Sequence, residues 1–96
     1  MLTSKQRAQL RALANNMESI VQIGKGGIGD QLIKQVTDAL LKRELIKLNV
    51  LETCELTPQE TAAEIAAQTG SEVVFVIGRR FVLYRPSKDD PRIVLS

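Results

Sequence analysis

The chain has 96 residues, of which 44% are hydrophobic and 25% charged, and this composition is typical of one small globular domain. It contains no histidine and a single cysteine, Cys54, which excludes an intrachain disulfide, the usual zinc ligand sets and imidazole-based proton transfer. We therefore expect no catalytic residues, no cofactor and no bound metal. No apolar run approaches the ~20 residues of a membrane-spanning helix, so we also expect a cytoplasmic protein without a membrane partner.

The charges are unevenly distributed along the chain, although the formal net charge is only +2. All 13 lysines and arginines lie in residues 1–51 and 73–96, whereas residues 52–72 contain five glutamates and no basic residue. We therefore expect one basic side and one acidic side, a polarity that can orient a polyanion.

The first predicted elements are a helix and a short strand. Thr3 and Gln6 have the spacing of a capping box, which predicts a helix over about Ser4–Ala14. Residues 19–23 are mainly apolar and end at a glycine, which predicts a strand. The two arginines of the helix, Arg7 and Arg11, either extend a basic surface or keep the helix soluble. Four apolar residues at helical spacing predict the buried stripe: Leu10, Leu13, Ala14 and Met17.

The middle of the chain predicts a strand–helix–strand unit. A helical period begins at Asp30 and continues to Arg43, with an acidic residue in the first turn and basic residues in the last. Residues 44–51 then alternate between apolar and polar side chains, which predicts a second strand with one buried face. A right-handed crossover of this kind places the two strands parallel, or at least in one sheet.

The last third of the chain predicts a helix and a hairpin. Thr57 and Glu60 form a second capping box with proline at the first helical position, and Gly70 closes this third helix. Residues 73–77 and 81–85 are predicted strands, joined through Gly78-Arg79-Arg80.

The element order predicts the architecture. A short apolar run at residues 93–95 is expected to dock as an edge of the sheet. The order α-β-α-β-α-β-β predicts an α/β two-layer sandwich with a four-stranded mixed sheet, formed by a single domain over residues 1–96.

The segment Gly24-Lys25-Gly26-Gly27-Ile28-Gly29 holds four of the six glycines. A tight turn needs only one or two of them. Gly24, Gly26 and Gly29 also satisfy the dinucleotide pattern G-x-G-x-x-G, so a small nucleotide-binding protein or enzyme that uses the loop as a phosphate site is an alternative. The third hypothesis is a G-x-x-G clamp, as in KH domains, in which the glycines admit a nucleic-acid backbone and Lys25 supplies positive charge.

Three motifs in this order carry a family resemblance. They lie at residues 23–28, at 44–48 and at 76–86, where Val76-Ile77-Gly78-Arg79 precedes Val82-Leu83-Tyr84-Arg85-Pro86. In these motifs the chain resembles the CRM domain (chloroplast RNA splicing and ribosome maturation) in its single-domain bacterial, YhbY-like form. The resemblance implies an RNA-binding domain similar to the C-terminal domain of translation initiation factor three, associated with ribosomal RNA in precursors of the large ribosomal subunit. It places the G-x-x-G loop at Gly24–Gly27.

The predicted RNA contacts combine this loop with flanking basic residues. Arg79 and Arg80 are either a solvated turn or a phosphate grip, and the basic residues at the end of the second helix also complement its dipole. With only 3% aromatic residues, we expect recognition of the RNA backbone and shape, by a monomer that takes no small-molecule substrate. The predicted contacts are Gly24, Lys25, Gly26, Gly27, Arg79, Arg80, Arg85, Lys42 and Arg43.

Overall fold

The structure is a computed structural model that describes residues 2–86 and residue 93. The predicted α/β class and element order are confirmed. Each boundary agrees with the sequence prediction to within one or two residues. The elements are α1 (Ser4–Ala14), β1 (Ser19–Ile23), α2 (Asp30–Arg43), β2 (Leu45–Val50), α3 (Pro58–Thr69), β3 (Glu72–Ile77) and β4 (Arg80–Tyr84).

Both predicted capping boxes are present. The Gln6 amide donates to Thr3 Oγ1 at 3.1 Å, and the Thr3 amide donates to Gln6 Oε1 at 3.0 Å. Thr57 and Glu60 repeat the same reciprocal pair at the start of α3. Two helix starts therefore follow directly from side chains within one turn of the sequence.

The four strands form one mixed sheet in the order β1-β2-β4-β3. β1 and β2 are parallel, which confirms the predicted crossover through α2. β4 is antiparallel to both of its neighbours, β2 and β3. Because β4 is antiparallel to β2 and Arg80 is in register with Asn49, the hairpin tip reaches the same end of the sheet as the carboxyl ends of β1 and β2.

The three helices cover the sheet unequally. α2 and α3 pack on one face, where the larger core contains Val36, Leu40 and Ile65 against Ile46 and Leu48. α1 packs on the opposite face, and its contacts come from the second cluster, formed by Leu10, Ala14, Leu45, Val74, Val82 and Tyr84. The polar residues of β1 and β2 on that second face stay open to solvent.

Arginines hold α1 against β3. The Arg7 guanidinium donates to the carbonyl oxygens of Val73 and Val74, and Arg11 lies over the Phe75 ring at 5.0 Å from its centroid. These two arginines therefore help to attach the helix. The prediction that Leu13 belongs to the buried stripe is wrong, since 48% of its surface is exposed.

Glu44 departs most from its sequence prediction. It was predicted to begin a half-exposed strand, but it is the residue that ends α2, it is 1% exposed, and its φ of 63° lies in the left-handed region. Its amide donates to the Leu40 carbonyl at 2.8 Å, and its own carbonyl accepts from the Arg85 amide at 2.9 Å. Its Oε1 accepts from the Ile93 amide at 3.2 Å. The end of α2 is thus joined to the residue that follows β4.

We expect the stability of the protein to fall above about pH 10 through Tyr84. Burial, and then the charge of Glu44, raise the pKa of Tyr84 above its ordinary value. Above about pH 10 the unfolded chain therefore loses this proton before the folded protein does, so unfolding becomes easier until the folded tyrosine also ionises. Urea unfolding across this range should show a smaller decline for Tyr84→Phe, and an equal decline in both proteins would contradict the assignment.

The expected edge run at residues 93–95 lies partly outside the described residues, which include only its first position. Ile93 is described, and its side chain packs against the cluster beneath α1.

Candidate nucleic-acid interface

The glycine segment begins with a closed turn. The Gly27 amide donates to the Gly24 carbonyl at 2.9 Å, and Lys25 and Gly26 form the tip of this turn. Gly27 has a φ of 65°, a conformation that favours glycine. A Cβ on Gly24 would lie 3.3 Å from Leu51 Cδ1 and 3.4 Å from Thr53 Oγ1, so close packing explains this glycine.

The fold itself does not require the other two glycines. A Cβ on Gly26 or on Gly29 would meet no atom within 4 Å, and neither residue has a positive φ. Side chains would therefore fit at both positions in the isolated protein. Glycine there leaves the main chain open to a molecule that approaches from outside.

The glycine segment leads into the start of α2. Gly29 is the N-cap residue and provides no side-chain hydrogen bond, in contrast to Thr3 and Thr57 at the other helices. The first amides of a helix carry partial positive charge and favour anions. Asp30 in the first turn partly offsets this attraction.

The hairpin tip and the glycine segment lie at the same end of the sheet. The Val50 amide donates to the Arg79 carbonyl at 2.7 Å, and the Leu51 amide donates to the Ile23 carbonyl at 2.8 Å. The Arg79 guanidinium donates from Nε to the Val50 carbonyl at 3.0 Å and from Nη2 to the Leu51 carbonyl at 3.1 Å. Arg79 thus joins the hairpin to β2, a role that the sequence did not indicate, and its remaining N–H groups face solvent.

The structure divides the predicted RNA contacts into two groups. The loop-end group consists of Gly24–Gly27, Arg79 and Arg80. Lys42 and Arg43 lie at the other end of α2, whose 14 residues span about 21 Å. Arg85 is at that distant end as well, because its amide bonds to Glu44. Arg79 and Arg80 therefore lie at the same end of the sheet as the glycine segment, whereas Lys42, Arg43 and Arg85 form a distant group at the other end of α2.

An acidic surface lies beside the glycine segment. Glu60 and Glu64 of α3 are exposed and line a shallow cavity of about 400 Å³ together with Ile28 and Leu56. Lys25 is exposed in the glycine segment, three residues before Ile28, so a cation and two carboxylates lie at this end of the molecule. Such an arrangement favours one orientation of a bound polyanion.

Among residues 2–86 and 93, no group of three or more histidine, cysteine, aspartate or glutamate side chains is placed to hold a metal ion. Cys54 is buried in the larger core, as expected of a small packing residue. Within the same residues, no helix has the length and apolar character needed to cross a membrane.

Comparison with known proteins places this geometry in a family. The model of the CRS1/YhbY (CRM) domain family matches residues 2–85, and the chain belongs to that family. Bacillus subtilis has a similar protein named "Probable RNA-binding protein YqeI", which is 43% identical over 95 residues covering 99% of both chains. A Haemophilus influenzae protein named "RNA-binding protein" is 33% identical, covering 92% of this chain and 89% of its own length.

A solved structure supports the same assignment. The solution structure of a Staphylococcus aureus protein, described as a candidate RNA-binding protein, superposes with a TM-score of 0.83 and 48% identity over the full length of both chains. The α/β fold with four mixed strands is thus shared with a structure from a similar protein. The family and its fold, which the three motifs predicted, are confirmed.

Proposed function

We propose that the chain is a non-catalytic RNA-binding protein that grips the RNA backbone through its glycine segment. Gly26 and Gly29 carry this proposal, because a side chain would fit at either position and glycine leaves the main chain there accessible to an approaching molecule. Lys25, Arg80 and the remaining N–H groups of Arg79 supply positive charge beside the exposed main chain. The names of the family relatives support RNA as the partner.

We further propose that the RNA is ribosomal RNA in precursors of the large ribosomal subunit, and that the protein acts in the cytoplasm as a monomer. The resemblance to YhbY-like proteins motivates this part of the proposal. Sedimentation of cell extracts on a sucrose gradient tests it. The protein should migrate with particles lighter than the mature large subunit, and migration only with free RNA would contradict the ribosomal assignment.

The alternative of a nucleotide-binding protein has weaker support. The G-x-G-x-x-G pattern is present, but the described sheet contains one parallel pair, β1 and β2, whereas dinucleotide folds use several parallel strands. Equilibrium dialysis against NAD and ATP separates the two functions, since a cofactor site would bind at micromolar concentration without RNA.

Gly26→Ala should weaken RNA binding without weakening the fold. The new methyl group meets nothing inside the protein, and alanine restricts the unfolded chain, so we expect the free energy of unfolding to stay the same or rise by about 0.4–1 kcal/mol. RNA affinity should fall severalfold, because the methyl group lies where the RNA backbone approaches. Filter binding and urea unfolding measure the two effects on one sample.

Lys25→Gln provides the matching test of charge. We expect the slope of log affinity against log salt to decrease by about one, as for the loss of one phosphate contact. Lys5→Gln is the control, because Lys5 is exposed on α1 and carries the same charge. The site assignment fails if Gly26→Ala and Lys25→Gln bind RNA like the control protein.

A further inference from the structure

A polar cleft lies on the open face of the sheet, on the opposite side from α2 and α3. Its volume is about 450 Å³, within the range of about 300–1,000 Å³ that is usual for small-ligand sites. One row of its floor crosses three strands, because Gln22 is in register with Asn49 and Asn49 with Arg80. Lys47 lies two residues before Asn49 on β2, in register with Ser19, and Glu18 precedes β1 at this same end of the cleft, away from Arg80.

The side chains that line the cleft differ in charge and in the hydrogen bonds that they can make. The carboxamides of Gln22 and Asn49 each present both donors and an acceptor, which suits the edge of a nucleobase. Arg80 and Lys47 are cations that attract phosphate. The Glu18 carboxylate is negatively charged, so it repels phosphate. Because it only accepts hydrogen bonds, it favours donors such as an amino group or a ribose hydroxyl. Lys47 is in register with Ser19, beside Glu18, so a cation and a carboxylate offset each other at this end of the cleft. Arg80 lies at the other end, in register with Asn49, so the charges direct a phosphate toward Arg80.

The cleft wall also contains an unsatisfied polar atom. Ser19 lines the cleft, and its Oγ is inaccessible to solvent and has no hydrogen-bond partner among the described residues. Buried hydroxyls normally have partners. A small opening of the wall on ligand entry would allow this hydroxyl to bond to a polar atom of the ligand.

The cleft continues from the proposed backbone grip. Gln22 is two residues before Gly24, and Asn49 is two residues before Leu51, so the polar row lies about 7 Å from the glycine segment along the strands. Arg80 lines the cleft, and Arg79 bonds to the Val50 and Leu51 carbonyls at the same end of the sheet as the glycine segment. An RNA strand held at the glycine segment can therefore cross this end of the sheet and reach the cleft within one or two nucleotides.

We infer that this cleft holds one unpaired nucleotide of the bound RNA and reads it by polar contacts to its base and sugar. The inference rests on the proposed RNA-binding function and makes it more specific, since the backbone grip alone would not distinguish paired from unpaired RNA. Among the described residues, no aromatic side chain lines the cleft, so the inferred recognition depends on polar contacts and not on stacking.

The test compares two RNA hairpins that differ by a single bulged nucleotide. Fluorescence anisotropy should show that the wild-type protein binds the bulged hairpin about tenfold more tightly than the fully paired one, as expected from a few net hydrogen bonds. The double variant Gln22→Ala/Asn49→Ala should lose this preference and keep the wild-type affinity for the paired hairpin. Gln59→Ala/Gln68→Ala is the control, because it removes two exposed carboxamides from α3 on the other side of the sheet.

Each result decides the question. Loss of the preference in the cleft variant but not in the control supports the inference, with circular dichroism confirming that both variants are folded. A wild-type protein without a preference, or a cleft variant that keeps it, overturns the inference. If Gly26→Ala weakens both hairpins while the cleft variant changes neither, the proposed function stands and the cleft has no such role. If the wild-type protein binds neither hairpin, the proposed function fails and the inference fails with it.

Discussion

Replacing Lys25 and Arg80 together by glutamate is expected to lower RNA affinity about a hundredfold, which corresponds to about 3 kcal/mol. Both side chains are exposed at the loop end of the sheet, so each change removes an attraction for phosphate and introduces a repulsion. Exposed substitutions of this kind usually alter the free energy of unfolding by no more than about 0.5 kcal/mol. The loss should therefore be one of binding, measured by filter binding at fixed salt.

The distant basic group provides the matched comparison. Lys42→Glu/Arg43→Glu changes the net charge by the same amount at the other end of α2, about 20 Å from the glycine segment. If the glycine segment is the main grip, this variant should lose less than about tenfold in affinity. Circular dichroism confirms the fold, since the two changes also oppose the dipole of α2. An equal loss in both variants would mean that RNA contacts the two ends alike.

Glu44→Ala is expected to reduce the free energy of unfolding by about 3 kcal/mol, and the melting temperature by roughly 10–20 °C. The change leaves a gap at a fully buried position and removes the oxygen that accepts from the Ile93 amide. Alanine and glutamate both have a Cβ at this positive φ, so the backbone strain is common to the two proteins and does not add to the loss. Urea and thermal unfolding measure the loss.

Glu44→Gly separates the strain from the lost contacts. In most helical positions glycine is less stabilising than alanine by about 1 kcal/mol. At this positive φ the order should be reversed or abolished, because glycine adopts the conformation without steric cost. The interpretation fails if Glu44→Ala unfolds like the wild-type protein, or if Glu44→Gly is about 1 kcal/mol less stable than Glu44→Ala.

The parts of the fold that were predicted correctly depend on neighbours in sequence. The capping boxes at Thr3 and Thr57 are complete within four residues, and the crossover from β1 to β2 follows from the chirality of any strand–helix–strand unit. The family resemblance depended in the same way on short motifs around Gly24 and Arg79. Local chemistry was sufficient for these features.

The features that were missed depend on residues far apart in sequence. The role of Glu44 depends on Arg85 and Ile93, which approach it only in the folded protein. The sequence could not show that Arg79 would bond to β2. Leu13 has the right helical spacing, but it lies at an open cavity that Met17 and Leu45 also line, and it stays largely exposed. The alternation of Lys47 and Asn49 did indicate an open face, but its continuation onto Gln22 and Arg80 depends on strand register.

The bonds that Arg79 makes to β2 also affect the thermodynamics of recognition. The Leu51 amide bonds to the Ile23 carbonyl, and Gly24 lies close to Thr53. These contacts and the Arg79 bonds hold together the hairpin tip, the chain after β2 and the start of the glycine segment before any ligand arrives. The conformational entropy of this end of the sheet is therefore lost during folding and not during association. The glycine segment is rich in the most flexible residue, yet it is expected to meet its ligand as a preorganised surface.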